Sequence, residues 1–96
     1  MIDTTNKPGF IVLEGVDGAG KGVQSRMLCA AMEASGIDVT LTREPGGSPG
    51  AEQIRSLIVE GDVDRWDDMT ELLLIYAARR SHIVQTIKPA LDSGAW

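Results

Sequence analysis

The 96-residue sequence holds a single cysteine, Cys29, so no disulfide can form within the chain. Basic residues are scarce: nine Lys and Arg stand against fourteen Asp and Glu, a formal net charge of -5. That balance excludes a general affinity for nucleic acid polymers or for an anionic membrane, so any phosphate bound here must be held locally. No run approaches the roughly 20 apolar residues that a membrane-spanning helix needs. The opening MIDTTNKPG has neither a basic start nor an apolar core, so it does not read as a signal peptide, and the expected location is the cytoplasm. A chain this short makes one small domain at most and buries a modest fraction of its surface.

What is present is an ordered alternation of apolar runs and glycine-rich turns. Residues 1–9 are polar and expected to be flexible, with Pro8 and Gly9 marking the entry to order. The continuous apolar run 10–13 suits a strand buried on both faces of a parallel sheet. Val23, Met27, Leu28 and Ala31 then fall at helical spacing, with Gly36 as the stop. Residues 38–42 alternate and are rich in β-branched side chains, which predicts a second strand. Strand, glycine loop, helix and strand form a βαβ unit. A turn-rich loop, REPGGSPG, leads into a helix over about 51–59, and an acidic loop, 61–68, carries one packed aromatic, Trp66. From Met69, the positions Leu72, Leu73, Tyr76, Ile83, Val84 and Ile87 trace one face of a long helix. Pro89 predicts a kink or stop near Lys88, with one further turn before Gly94.

The chemistry is concentrated in GVDGAGKG, residues 15–22. Gly15, Gly20 and Lys21 satisfy GxxxxGK between a predicted strand and a predicted helix. Glycines let backbone N–H groups converge on an anion, the helix N-terminus adds partial positive charge, and the lysine reaches the β and γ phosphates. The next position ordinarily supplies a hydroxyl to the magnesium ion that accompanies the nucleotide. Here it is Gly22, followed by the apolar Val23, so phosphate binding and phosphoryl transfer can come apart.

Taken together, FIVLEGVDGAGKG, LTREPGGSPGAEQIR, LLLIYAARRSH and IKPALDSGAW resemble the N-terminal half of bacterial thymidylate kinases, in that family's order and over nearly the whole chain after Pro8. The resemblance implies an α/β phosphate-loop NTPase fold of the nucleoside monophosphate kinase type, incomplete here, with a parallel sheet flanked by helices. Residues 1–96 would be the N-terminal part of one such domain. It also implies transfer of the γ-phosphoryl group of ATP to dTMP, giving dTDP, with Mg2+ accompanying ATP and with the full-length family member a homodimer. Gly15, Val16, Asp17, Gly18, Ala19, Gly20, Lys21 and Gly22 match the ATP phosphate loop. Lys21 and Asp17 match its catalytic residues, Asp17 also facing the dTMP sugar and the metal. Arg43, Glu44, Pro45, Arg55, Ile75 and Arg79 join Asp17 in matching the dTMP site. A guanidinium fork suits phosphate and an apolar neighbour one turn away suits a base face.

Several residues have plainer readings. Glu14 is either a site carboxylate or a strand-end group bonded to backbone; His82, alone on its helix, reads as a surface or capped residue; Cys29 and the methionines read as core. The chain also departs from the family's pattern. Ile75 replaces the usual phenylalanine, and Gly18-Ala19 carries no arginine, which matches the subgroup that supplies catalytic arginines from a later lid. The sequence stops at Trp96, before the family's Asp-Arg strand. Two alternatives therefore stand beside the dTMP kinase: an enzyme acting on another nucleoside monophosphate, and a non-catalytic nucleotide-binding fragment or pseudoenzyme.

Overall fold

The computed structural model describes residues 8–96, so the expected flexibility of 1–7 lies outside the described residues. Helix α1 spans Lys21–Ala34, α2 spans Pro49–Val59 and α3 spans Asp68–His82. A π-helical turn, Ile83–Ile87, follows, and then α4, Lys88–Asp92. The chain divides into two compact units, one running up to Leu41 together with Ala90–Trp96 and the other Thr42–Pro89.

In the first unit α1 ends as its sequence predicts. Beyond the C-cap Ser35, the Ile37 N–H returns to the Met32 carbonyl at 3.0 Å and the Gly36 N–H to Glu33 at 2.9 Å, the pattern of a Schellman stop. The predicted inward face is corrected: Val23, Met27 and Leu28 are exposed, while Met32 is buried and Cys29 half-buried. Met27 and Met69 are likewise exposed rather than core.

The expected sheet is not seen: no β-strand forms among the described residues. A strand holds only where its N–H and C=O groups meet a neighbour. Residues 10–13 have none and lie open, Phe10 at 62% and Val12 at 58% exposure, instead of buried on both faces. One pairing survives: the Trp96 N–H reaches the Asp38 carbonyl and the Thr40 N–H reaches the Trp96 carbonyl, both at 2.8 Å. These slanted bonds straddling Val39 are a single step of a parallel ladder.

In the second unit α2 packs on α3. Ser48 caps α2 by accepting the Ala51 N–H at 3.1 Å, and Pro49 occupies the first turn, where its missing N–H is not needed. The helix therefore begins two residues before the predicted start, and it ends at Val59 as predicted. The buried face of α3 is not the predicted apolar stripe. Leu72, Leu73, Tyr76 and Val84 are exposed, whereas Ala78 and His82 are buried, with Leu74, Ile75 and Ser81 half-buried beside them. Small side chains let the helices approach: Ala51 and Ala78 are fully buried, and a Cβ on Gly50 would sit 3.1 Å from the Ser81 hydroxyl.

The α-helical run breaks next to Pro89 as expected, and α4 supplies the further turn before Gly94. The π-helical turn precedes it, and α4 begins at Lys88, which places the proline in a first turn. The acidic loop carries its packed aromatic as expected: half-buried Trp66 donates through Nε1 to the Leu57 carbonyl at 2.8 Å, with the Arg65 guanidinium over its ring at 4.8 Å.

Candidate active site

The GxxxxGK turn, residues 15–22, lies within the first unit. Gly18 and Gly20 have left-handed φ values of 84° and 90°, which side chains with a Cβ avoid, and alternation of such residues with ordinary ones turns successive N–H groups toward one side. The Ala19 N–H closes a turn onto the Val16 carbonyl at 3.1 Å. Gly20 is the N-cap of α1 and offers no side chain to it, so the first-turn N–H groups carry no side-chain cap. Lys21 folds its ammonium group back onto the Gly15 carbonyl. Gly15, Val16, Asp17, Gly18, Ala19, Gly20, Lys21 and Gly22 thus form one continuous turn-and-helix start, the local geometry expected of an anion cradle.

The predicted monophosphate-side residues meet in the second unit. Arg79 forks onto Glu44, with Nε donating to Oε1 at 2.8 Å and Nη2 approaching the same oxygen at 2.7 Å. Arg55 donates from Nη1 to the Pro45 carbonyl at 2.9 Å. Arg43 pairs with Glu52, whose Oε2 also accepts the Gly47 N–H at 2.9 Å. Ile75 lies on α3 one turn before Arg79 and is half-buried. Arg43, Glu44, Pro45, Arg55 and Arg79 are therefore joined through one loop, whose Glu44–Pro45 peptide is cis.

That loop is fastened by residues the sequence had not singled out. Among the described residues His82 is the largest fully buried side chain, with 2% exposure; of its two expected readings, surface or capped, the surface one is corrected. Its Nδ1 meets Glu44 Oε2 at 2.9 Å and its Nε2 meets Thr42 Oγ1 at 2.6 Å. Gly47 lies against the ring so closely that an added Cβ would run into His82 and the Thr42 hydroxyl. Thr86 donates to the Gly47 carbonyl, and Ser48 and Ser81 share a hydroxyl pair at 2.7 Å. A signal for His82 did exist: it stands three residues after Arg79, a spacing that puts both on one helix face within reach of one carboxylate.

Electrostatics follow the same contacts. Burial pushes the Glu44 carboxyl up, but hydrogen bonds and charge from Arg79 and His82 outweigh it and leave the group below its ordinary value. Glu52 is held at about 2 by the Arg43 hydrogen bond and then by the Gly47 N–H, with burial opposing. A carboxyl depressed on folding contributes stability that is complete above its ordinary value of 4.5 and lost as pH falls through about 2. Because both partners are well exposed, the contribution is small. An NMR titration should place the Glu52 midpoint near 2 and return it toward 4.5 in Arg43→Ala; an unmoved midpoint would show that the arginine does not set it.

A thymidylate kinase family model matches residues 13–96, a stretch that contains both the phosphate loop and the Glu44–Arg79 cluster. The chain belongs to the thymidylate kinase family. Thymidylate kinase from Ruegeria pomeroyi is 59% identical over 85 residues, 88% of this chain and 40% of that protein. Thymidylate kinase from Caulobacter vibrioides is 58% identical over 86 residues, 90% of this chain and 41% of that one. The crystal structure of thymidylate kinase from Ehrlichia chaffeensis superposes with a TM-score of 0.73 at 42% identity, covering 85% of this chain and 46% of the other. The fold is thus that of thymidylate kinases, a phosphate-loop NTPase fold. The chain spans about 40% of the length of the curated thymidylate kinases it matches. No helix among the described residues is long and apolar enough to cross a membrane.

Proposed function

We propose that this chain supplies the phosphate loop and the monophosphate-side residues of a dTMP kinase, which moves the γ-phosphoryl group of ATP onto the 5' phosphate of dTMP. The observation that carries the proposal is the joining of Arg79, Arg55 and Glu44 by one loop, in a chain that also holds the GxxxxGK turn. Two anions must be brought together, so the work is mainly positioning and charge neutralisation. The N–H groups of residues 15–22 and the Lys21 ammonium would hold the ATP phosphates. Arg79 and Arg55 would hold the dTMP phosphate and Ile75 would pack on the base, with Arg43, Glu44 and Pro45 shaping the pocket. Asp17 would face the dTMP sugar. The parallel sheet, a homodimer and a cytoplasmic location belong to the same proposal.

Magnesium would enter with ATP as part of the substrate. This chain offers little of its own to hold the ion: position 22 has no side chain, Asp17 is the lone carboxylate of the loop, and no cluster of three ligating side chains occurs among the described residues. No step is therefore routed through it.

The test is a graft in which residues 13–96 replace the matching segment of Ruegeria pomeroyi thymidylate kinase, assayed for dTDP formation. Arg79→Ala in the graft should raise the Kd for dTMP about ten- to a hundredfold, as loss of a charge-assisted hydrogen bond does. Ile75→Phe should tighten dTMP binding modestly. Unchanged dTMP affinity in Arg79→Ala would remove that residue from the site. Gly22 favours a second reading, a nucleotide-binding protein without catalysis, for which the graft would bind ATP and dTMP yet form no dTDP. Preference for another nucleoside monophosphate over dTMP would instead point to a related kinase.

A further inference from the structure

We propose that His82 is a positioning residue for the monophosphate, acting through Glu44 to aim the Arg79 guanidinium; the proposal rests on the dTMP-kinase reading above. Arg79 needs such help. Its side chain is 53% exposed and has several rotatable bonds, so a phosphate arriving at a free arginine would have to order it first. Both the Nε and Nη2 contacts run to one oxygen of Glu44, which fixes the plane of the fork and leaves Nη1 and the remaining hydrogens turned away from the carboxylate.

Glu44, in turn, sits on a loop and would carry Arg79 with it if it moved. Its second oxygen prevents this by meeting the His82 ring, which is sealed from water. An ionised carboxylate only accepts, so Nδ1 carries the hydrogen there, while the Nε2 end meets the Thr42 hydroxyl. The chain of bonds Thr42–His82–Glu44–Arg79 is complete, and no buried side-chain polar atom among the described residues lacks a partner. The ring's buried position against Gly47 makes it the fixed end and the exposed guanidinium the working end.

The role is testable in the graft because the two ends of the ring can be cut separately. His82→Gln removes the donor to Glu44, whereas His82→Asn places an amide N–H where Nδ1 lies. His82→Gln should raise KM for dTMP about five- to tenfold, less than the loss of Arg79 itself because the effect is indirect, with KM for ATP and kcat unchanged. His82→Asn should stay within about twofold of the parent, since it keeps that hydrogen bond. In an Arg79→Ala background His82→Gln should add nothing, because its effect travels through the arginine.

Additive effects of the two substitutions, an equal rise in KM for ATP, or the same loss in the asparagine and glutamine variants would overturn the proposal and leave His82 as packing alone. If the His82 variants lose their cooperative melt, Thr42→Val carries the test: it frees the Nε2 end of the ring and should raise KM for dTMP only while Arg79 is present. A rise that persists in Arg79→Ala overturns the proposal. If Arg79→Ala itself leaves KM for dTMP unchanged, the underlying site reading fails; if it raises KM while His82→Gln does not, the positioning role alone fails.

Discussion

Serine at position 22 is expected to raise turnover of the graft by about tenfold or more and to lower the magnesium concentration it needs, because a hydroxyl ligand would help to hold the ion, and about 1.4 kcal/mol off the barrier is tenfold in rate. The position can take the side chain. Gly22 lies in the first turn of α1, and an added Cβ would find only the Arg26 guanidinium, 3.2 Å away at the far end of a flexible chain. The control is Gly22→Ala. Both substitutions relieve the cost of glycine in a helix, about 0.5–1 kcal/mol relative to alanine, so both should stabilise α1. Only serine brings a hydroxyl. Equal gains from alanine and serine, or no gain from either, would show that the missing hydroxyl is not what limits this loop.

The 96-residue chain studied by itself should bind a hydrophobic dye, unfold over a broad range, associate in solution and form no dTDP above background. The reason is what it leaves uncovered. Phe10, Ile11, Val12, Leu13, Leu72, Leu73 and Tyr76 are all exposed, while the buried apolar residues among those described are Met32, Ala51, Ala78 and Ala95, three of them alanines. Burying one large apolar side chain contributes about 1.5–3 kcal/mol, against a usual total stability of about 5–15 kcal/mol, so several left in water decide the outcome. Residues 10–13 should also exchange their amide hydrogens fast, having no ladder to protect them. A monomer with a sharp melt, no dye binding and measurable dTDP would refute this.

What could be read in the sequence was what is written locally. The start of α1 at Lys21, the Gly36 stop and the end of α2 at Val59 each depend on a few adjacent residues whose backbone preferences or bonds are set within one turn, and each is found as expected. The faces of α1 and α3 were misjudged for a physical reason. Apolar periodicity marks where a helix is able to be covered, whereas the buried positions of α3 are Ala78 and His82, with Ser81 half-buried close to Gly50 of α2, small or polar side chains that allow close approach. His82 was missed because its partners Thr42 and Glu44 lie 40 and 38 positions earlier, beyond any local pattern. The break at Lys88 was legible because Pro89 lacks the N–H that a continuing α-helix needs.

Gly47 has both of its backbone groups tied to side chains, its N–H to Glu52 five residues on and its carbonyl to Thr86 thirty-nine residues on. Loop 43–47 consequently owes its shape to contacts that exist only once α2 and α3 are in place, with Glu44 waiting likewise for Arg79 35 residues away. Such distant closures carry a loop-entropy cost before any bond rewards them. In time, then, the order of assembly runs from helix pair to loop. Substitutions at Ala51 and Ala78 should slow folding, whereas Thr86→Val should chiefly speed unfolding, which gives the arginine-bearing loop the latest arrival and the earliest departure in the life of the fold.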